Sequence, residues 1–349
     1  MHRINLALQG GGSHGAFTWG VLDRLLEEPE ISFSGISGTS AGACNAVLVA
    51  EGLTEGGPDR ARAQLEGFWQ LVAKAGAYSP FKRTPWDQLA GHYTLDTSPA
   101  HVWFDVMSRF FSPYQLNPGG EHPLRPLLNQ FINFERVRGC TATKLFVNAT
   151  DVRTGTLRVF REHEMTVDMV LASTCLPSMF HAVEVEDRFY WDGGYIANPA
   201  LHPMMEATQE PDLVIVQINP LDIPELPKDA RSIINRVGEI SFNASLIKEV
   251  RLIHQINDLI CSGELTSDQY RRVFMHMIHG GEHLSRFDNS SKLLTEWGFL
   301  TQLRDLGRDA AERWLRSCGP RLGQKSTLDA QALIDGKIIW KNTQPAATM

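Results

Sequence analysis

Ile31-Ser-Phe-Ser-Gly-Ile-Ser-Gly-Thr-Ser40-Ala-Gly-Ala-Cys-Asn-Ala46 is a short, partly apolar run that ends in small turn residues and gives way at once to a small-residue helical run. Within it, Gly38-Thr39-Ser40-Ala41-Gly42 fits Gly-x-Ser-x-Gly, in which a sharp strand-to-helix turn leaves a serine oxygen exposed. Glycines two before and two after the serine keep that turn free of clashes. Ser40 is therefore the candidate nucleophile. The pattern predicts a strand over Ser32 to Ser37 and a helix over Ala41 to Leu53, whose Gly42, Ala43 and Ala46 permit close packing on a sheet. An ordinary tight turn with a capping serine is the competing reading.

Upstream, Ile4-Asn-Leu-Ala-Leu8 is a short first strand, followed by Gln9-Gly10-Gly11-Gly12-Ser13-His14-Gly15 and a helix from Ala16 to Glu27. Phe17, Val21, Leu22, Leu25 and Leu26 fall on one side of that helix, the spacing of a buried face. A glycine loop between a strand and a helix N-terminus presents free backbone N–H groups to an anion, either a phosphate or the oxyanion of an acyl-transfer intermediate. The chain has no Gly-Lys-Ser/Thr here, and no acidic residue stands at a convincing distance after a second strand to complete a dinucleotide site. Beside the elbow, an oxyanion hole is the better reading, with a purely structural glycine turn as its rival.

Downstream, a helix is expected from Asp59 to about Lys74, and then composition changes. Residues 78–122 are crowded with proline and aromatic residues, and read as an irregular insertion of short helices, too long for a structureless loop. Its Trp103, Phe104, Phe110 and Phe111 fit an apolar cap over an acyl pocket, or equally a satellite core without ligand. Order returns with a helix from Leu124 to Phe134, strands from Lys144 to Thr150 and from Thr156 to Arg161, and a helical stretch leading into Ser173-Thr-Cys-Leu-Pro177. Arg188-Phe-Tyr-Trp-Asp192-Gly193-Gly194 is a strand ending in a double-glycine turn, which either thrusts the Asp192 carboxylate out of the sheet edge or is only a turn. Asp212 to Ile218 is a near-continuous apolar run of the kind found in buried parallel strands. Beyond Pro220 a proline-bearing linker precedes an amphipathic helix from Ala230 to Cys261, a strand from Val273 to Ile278, and helices near Ser291 to Trp297 and Thr301 to Ser317. His276, His279 and His283 invite a metal reading, but on a strand the first two face opposite ways, and no metal is assigned.

Over 349 residues, 43% hydrophobic content, 21% charged residues and a net charge of −7 give no reason to expect nucleic acid as a partner. The five cysteines are scattered, odd in number and without Cys-x-x-Cys spacing, which suits a reducing compartment, and a cytoplasmic location is expected. Neither a signal peptide nor a membrane span is apparent, so any membrane contact would be peripheral and local.

Taken in order, four motifs resemble those of the patatin-like phospholipases: Gly10-Gly11-Gly12-Ser13-His14-Gly15, Gly38-Thr39-Ser40-Ala41-Gly42, Ala172-Ser-Thr-Cys-Leu-Pro177 and Asp192-Gly193-Gly194. The resemblance implies a three-layer α/β/α fold with a mainly parallel sheet, and a Ser40–Asp192 dyad acting without cofactor on lipid acyl esters, those of phospholipids or lysophospholipids. It implies a catalytic domain over residues 1–220, with the cap inserted at 78–122, and a mostly helical C-terminal extension over 221–349. One departure is His14, where that family's loop often carries Arg or Lys. On this reading the oxyanion donors are the N–H groups of Gly11, Gly12 and Ala41, and Gly10, Gly15, Gly38, Gly42, Gly193 and Gly194 support the turns. Two alternatives stay open: a Ser, Asp, His triad esterase or thioesterase using His202 or a later histidine, and a non-catalytic lipid-binding or regulatory protein. Oligomeric state, head group and chain length lie beyond the sequence.

Overall fold

The computed structural model describes residues 1–223, 225–266 and 270–337. Eight strands form one sheet: β1 (His2–Leu8), β2 (Ile31–Gly38), β3 (Lys144–Asp151), β4 (Leu157–Arg161), β5 (Val183–Val185), β6 (Arg188–Asp192), β7 (Asp212–Gln217) and β8 (Phe274–His279). Their order is β5-β6-β3-β2-β1-β7-β8, with β4 also paired to β3. The central strands β3, β2, β1, β7 and β8 run parallel, whereas β4, β5 and β6 form an antiparallel edge.

Alternation along the strands sends side chains into two separate cores, because successive residues of a strand point to opposite faces. Ile4, Leu6 and Leu8 of β1 enter one core with Ile36, Val147 and Val216. Ala7 enters the other with Phe146, Ile215 and Met277. The first face is covered by helices α1 (Gly15–Leu25), α2 (Ala41–Gly56) and α3 (Pro58–Gly76) together with Trp297–Cys318. The second face is covered by His202–Ala207, Ala230–Cys261 and Ala330–Ile334 through Met204, Leu246, Val250, Ile253 and Leu333. The result is a three-layer α/β/α arrangement with a largely helical C-terminal part.

That C-terminal part is woven into the sheet. β8 pairs with β7 over six residues, and Trp297–Cys318 lies along α1 so closely that a Cβ at Gly307 would collide with the Phe17 carbonyl. Arg308 pairs with Asp23 and Glu27 across the same seam, and Arg24 with Glu312. The sheet thus runs across the boundary expected at residue 220. The helix expected near Ser291 to Trp297 is instead a 3₁₀ turn, Asn289–Leu293, followed by extended backbone before Trp297 starts the next helix. Tertiary contacts override local propensity there: Leu294 is buried, Thr295 packs against Gly76, and the Arg83 guanidinium pairs with Glu296.

The insertion does fold as short helices, Pro85–Leu89, Pro99–Met107 and Pro113–Leu116. Each begins with proline at its first position after Thr84, Ser98 or Ser112, the order of residues that starts a helix most readily. The Pro99–Met107 helix has no fully buried residue. Among the described residues, no helix is long and apolar enough to cross a membrane.

Candidate active site

Strand order reverses at β1, whose neighbours are β2 on one side and β7 on the other, so the loops leaving β1 and β7 diverge and open a crevice at the carboxyl end of the sheet. A cavity of about 170 Å³ lies there, lined by Gly11 and Gly12 after β1, Ser40 after β2, Asp192 at the end of β6 and Asn219 after β7. Register sets the height of the two central groups. Gly38 pairs with Val147 and Asp192 with Ala149 on one edge of β3, β4 taking the other edge, so the turn leaving β2 runs into the end of β6 and Ser40 comes level with Asp192 beside β3.

Ser40 adopts φ 55° and ψ −123°, a conformation that costs a non-glycine residue roughly 1–3 kcal/mol and persists only where the surroundings impose it. The surroundings are specific. Ser40 N–H donates to Ser173 Oγ at 3.0 Å, Thr39 Oγ1 donates to Ala197 O at 2.8 Å, and the Asn148 amide donates to Gly38 O at 3.0 Å and Ser37 Oγ at 3.1 Å. Close backbone approach does the rest. A Cβ on Gly10 would sit 2.7 Å from Ser40 Cβ, and one on Gly42 would collide with the Leu8 carbonyl.

Asp192 has no exposed surface. Its Oδ1 accepts from Gly194 N at 2.8 Å, its own N–H donates to Cys175 O at 2.8 Å, and its carbonyl accepts from Thr150 Oγ1 at 2.8 Å. Oδ2 is buried with no hydrogen-bond partner among the described residues. Burial pushes the carboxyl pKa up to about 7, opposed by the Gly194 N–H and by the Ser40 hydroxyl. Burial, and then the charge of the same carboxylate, raise the Cys44 and Cys175 thiols to about 12. Gly193 sits against the Asn148 carbonyl and Gly194 against the Phe242 ring, so neither position has room for a side chain.

In the glycine loop, Gly10 N–H donates to Asn198 Oδ1 at 2.7 Å and Gly10 O accepts from the Asn219 amide at 2.8 Å, so both polar groups of Gly10 are spent on fixing the loop. Gly11 and Gly12 line the cavity, Gly12 with φ 57° and pressed against the backbone of Lys292. Ala41 is the first residue of α2, where N–H groups have no intrahelical acceptor. Gly15 lets α1 pass the Ala41 methyl.

The structure brings Ser40, Asp192, Gly11 and Gly12 together and leaves other candidates elsewhere. Trp103 and Phe110 are strongly exposed, Phe111 is exposed, and Phe104 packs on Phe81; none of the four lines this cavity. Its apolar wall is Leu176, Phe242 and Leu293. No histidine lines it. His14 is buried with Nε2 2.7 Å from Ser291 Oγ, and burial followed by the Lys292 charge lowers its pKa to about 3. His202 stands beside Glu249, and His276 is held between Asp212 and Thr327. Sequence reasoning missed Asn148, Asn198, Asn219 and Lys292. Only Ser173 had a signal, as part of the Ala-Ser-x-x-x-Pro segment, and that signal did not reveal its bond to Ser40.

VipD from Legionella pneumophila is a solved structure similar to this chain, with 14% identity and a TM-score of 0.42, covering 91% of this chain and 67% of the other. No curated protein sequence matches. A family model described as Patatin-like phospholipase matches residues 6–205, a span that holds the glycine loop, the elbow and the Asp192 turn, and the chain belongs to that family of lipid hydrolases.

Proposed function

We propose that the protein is a serine lipid acyl hydrolase working through a Ser40–Asp192 dyad. The observation that carries this reading is a serine held at positive φ level with a fully buried carboxylate, in one cavity with two glycines and no histidine. A hydroxyl attacks an ester carbonyl only if a base takes its proton. A carboxyl with a pKa near 7 and an unsatisfied Oδ2 is suited to that task at neutral pH. As Ser40 Oγ bonds to the acyl carbon, the proton passes to Asp192 and the carbonyl oxygen takes up negative charge. The N–H groups of Gly11, Gly12 and Ala41 receive it, each such donor lowering the barrier by about 3–4 kcal/mol. The alcohol leaves with the proton from Asp192, and water, activated by the same carboxylate, hydrolyses the acyl-enzyme. No step calls on a cofactor.

The cavity beside Ser40 has room for the reacting ester but not for a long acyl chain, so the chain continues over apolar surface. Ile233, Ile234, Val237 and Ile240 of the Ala230–Cys261 helix are exposed, and that helix also supplies Phe242 to the cavity. Arg231, at the start of the same helix, bonds to Asp96 and lies 3.8 Å from Asp105 in the cap, which brings the exposed Val102, Trp103 and Val106 alongside. This shared apolar rim supports lipid substrates and local, peripheral membrane contact. Five unpaired thiols support a reducing, cytoplasmic location. A fluorophosphonate probe tests the reading: it labels the native chain at Ser40 and leaves Ser40→Ala unlabelled. Equal labelling of both would assign the wrong serine.

A further inference from the structure

One residue of the cavity wall is glycine where neither backbone nor packing asks for it. Gly238 lies well inside the Ala230–Cys261 helix and lines the cavity with Glu239 and Phe242. A glycine inside a helix gives up stability relative to alanine, so its presence needs a cause. Elsewhere in the chain the cause is contact: a Cβ at Gly20, Gly52, Gly67 or Gly307 would run into the Arg304 backbone, Ala61, the Phe131 ring or the Phe17 carbonyl. At Gly238 a Cβ would meet no neighbour within 4 Å, and the helix runs on unbroken through it. What the missing side chain leaves is open space at the cavity wall.

That space has a direction. Successive helix residues are about 100° apart, so Gly238, Glu239 and Phe242 span an arc of about 100° facing the cavity, with Gly238 at one edge and Glu239 at the other. The Glu239 edge is polar: Asn219, Asn289 and Lys292 line the cavity there, Lys292 within the influence of the Glu239 charge, and Asn289 Nδ2 donates to Asn235 O at 3.3 Å, which ties the helix to the Asn289–Leu293 turn and closes that side. The Gly238 edge is apolar. One turn after Gly238, the Phe242 ring is wedged against Gly194 beside the dyad turn and lies 5.3 Å from the Tyr195 ring, centroid to centroid. One turn before it, Ile234 is 57% exposed. Residues four apart share a helix face, so Ile234, Gly238 and Phe242 form one row about 12 Å long from solvent to cavity, with a saddle at its middle. We infer that the acyl chain of the substrate leaves the cavity over this saddle, and that Gly238 is the residue that sets how long a chain the site accepts. The inference rests on the acyl hydrolase reading and deepens it. Hydrocarbon takes the Gly238 side because the other side would leave Asn289 and Lys292 facing it without an acceptor or water.

The test compares butanoyl and decanoyl esters of one alcohol, both kept monomeric, in the native protein, Gly238→Ala and Gly238→Leu. Alanine and leucine favour a helix about equally, so a difference between the two variants reads side-chain size and not helix stiffness. The ratio of kcat/KM for the decanoyl to the butanoyl ester is expected to fall about 10- to 100-fold in Gly238→Leu and about 2- to 5-fold in Gly238→Ala. The melting temperature of Gly238→Ala is expected to rise by about 1–2 °C, and a merely structural glycine would not move stability and long-chain turnover in opposite directions. Equal losses on both esters, or an unchanged ratio in either variant that folds, would overturn the assignment. So would a ratio that follows the length of the alcohol and not that of the acyl chain, which would give the saddle to the leaving group. Binding of the two esters to Ser40→Ala, with and without Gly238→Leu, reads the same preference without turnover. A length preference lost in the double variant, with neither ester hydrolysed by the native chain, would sink the hydrolase reading and leave the saddle standing.

Discussion

The elbow and the cap are built under opposite physical rules. Around the Ser40 backbone the packing is close: a Cβ on Gly10 would crowd Ser40 Cβ, Gly42 has no room for a methyl, and Ser173, Asn148 and Ala197 bond the turn from three other segments. In the cap, Trp86, Trp103 and Phe110 face outward, and Gly91 at φ 71° has open space around it. Chemistry needs atoms held to a fraction of an ångström, which only over-determined packing supplies. Contact with a variable lipid needs apolar area and little fixed geometry, which loosely packed short helices provide.

Removing a reacting group breaks the comparison most severely. Ser40→Ala should abolish fluorophosphonate labelling, and Asp192→Asn should lower kcat roughly 10³- to 10⁴-fold, both with an unchanged circular dichroism spectrum. Glutamine at His14 or His202 should cost several-fold at most; a well-folded histidine variant as inactive as Ser40→Ala would convert the dyad into a triad.

The next effect is one of pH. Activity that requires the Asp192 carboxylate should rise with pH and level off above an apparent pKa near 7 in kcat/KM. Stability goes the other way. Asp192 holds its proton more tightly folded, with a pKa of about 7, than at its usual 3.8, so its contribution is fully present below about pH 4 and is lost as pH rises through 7. Asp192→Asn has no charge to bury and should match the native unfolding free energy at pH 4 but exceed it at pH 8, by at most about 4 kcal/mol. A native chain whose stability relative to Asp192→Asn stays constant from pH 5 to 8 would show an ordinary, low-pKa carboxyl.

A pair of glycine substitutions sharpens the contrast directly. Gly42→Ala drives a methyl into the Leu8 carbonyl and should destabilise by about 3 kcal/mol or more. Gly91→Ala meets only its positive φ, a cost of about 1 kcal/mol. Chemical denaturation of the two variants measures the difference, and equal losses would mean the cap is as tightly specified as the elbow.

The smallest stability change belongs to the cap aromatics. Phe110 is 74% exposed and Phe111 44%, so replacing both with Ala should shift stability by less than about 1 kcal/mol. Turnover of esters presented in vesicles should nevertheless fall more than turnover of monomeric short-chain esters. Equal turnover losses accompanied by a large drop in melting temperature would instead mark these rings as core.

Local chemistry made some of this legible in the sequence. Gly-x-Ser-x-Gly between an apolar run and small helical residues specifies the elbow within a dozen positions, and the proline after each Ser or Thr marks the cap helices, because turns and caps depend on nearest neighbours. The Ala230–Cys261 helix is found with its expected ends. Long-range partners leave no such mark. Asn148 lies 109 positions from Thr39, whose hydroxyl accepts from its amide at 3.1 Å, and Lys292 is 73 positions from the asparagine it bonds.

The sequence by itself determined the strand-turn-helix unit around Ser40, the anion-ready glycine loop and an acidic turn at Asp192, since each is built from contiguous residues with restricted backbone choices. Only the tertiary structure decided that Asp192 is buried and level with Ser40, that β8 and Trp297–Cys318 complete the sheet and its cover, and that Lys292 stands at the cavity wall. Register, burial and charge environment are properties of chain segments meeting across the sheet, and a side chain has no pKa shift or partner until those segments have packed.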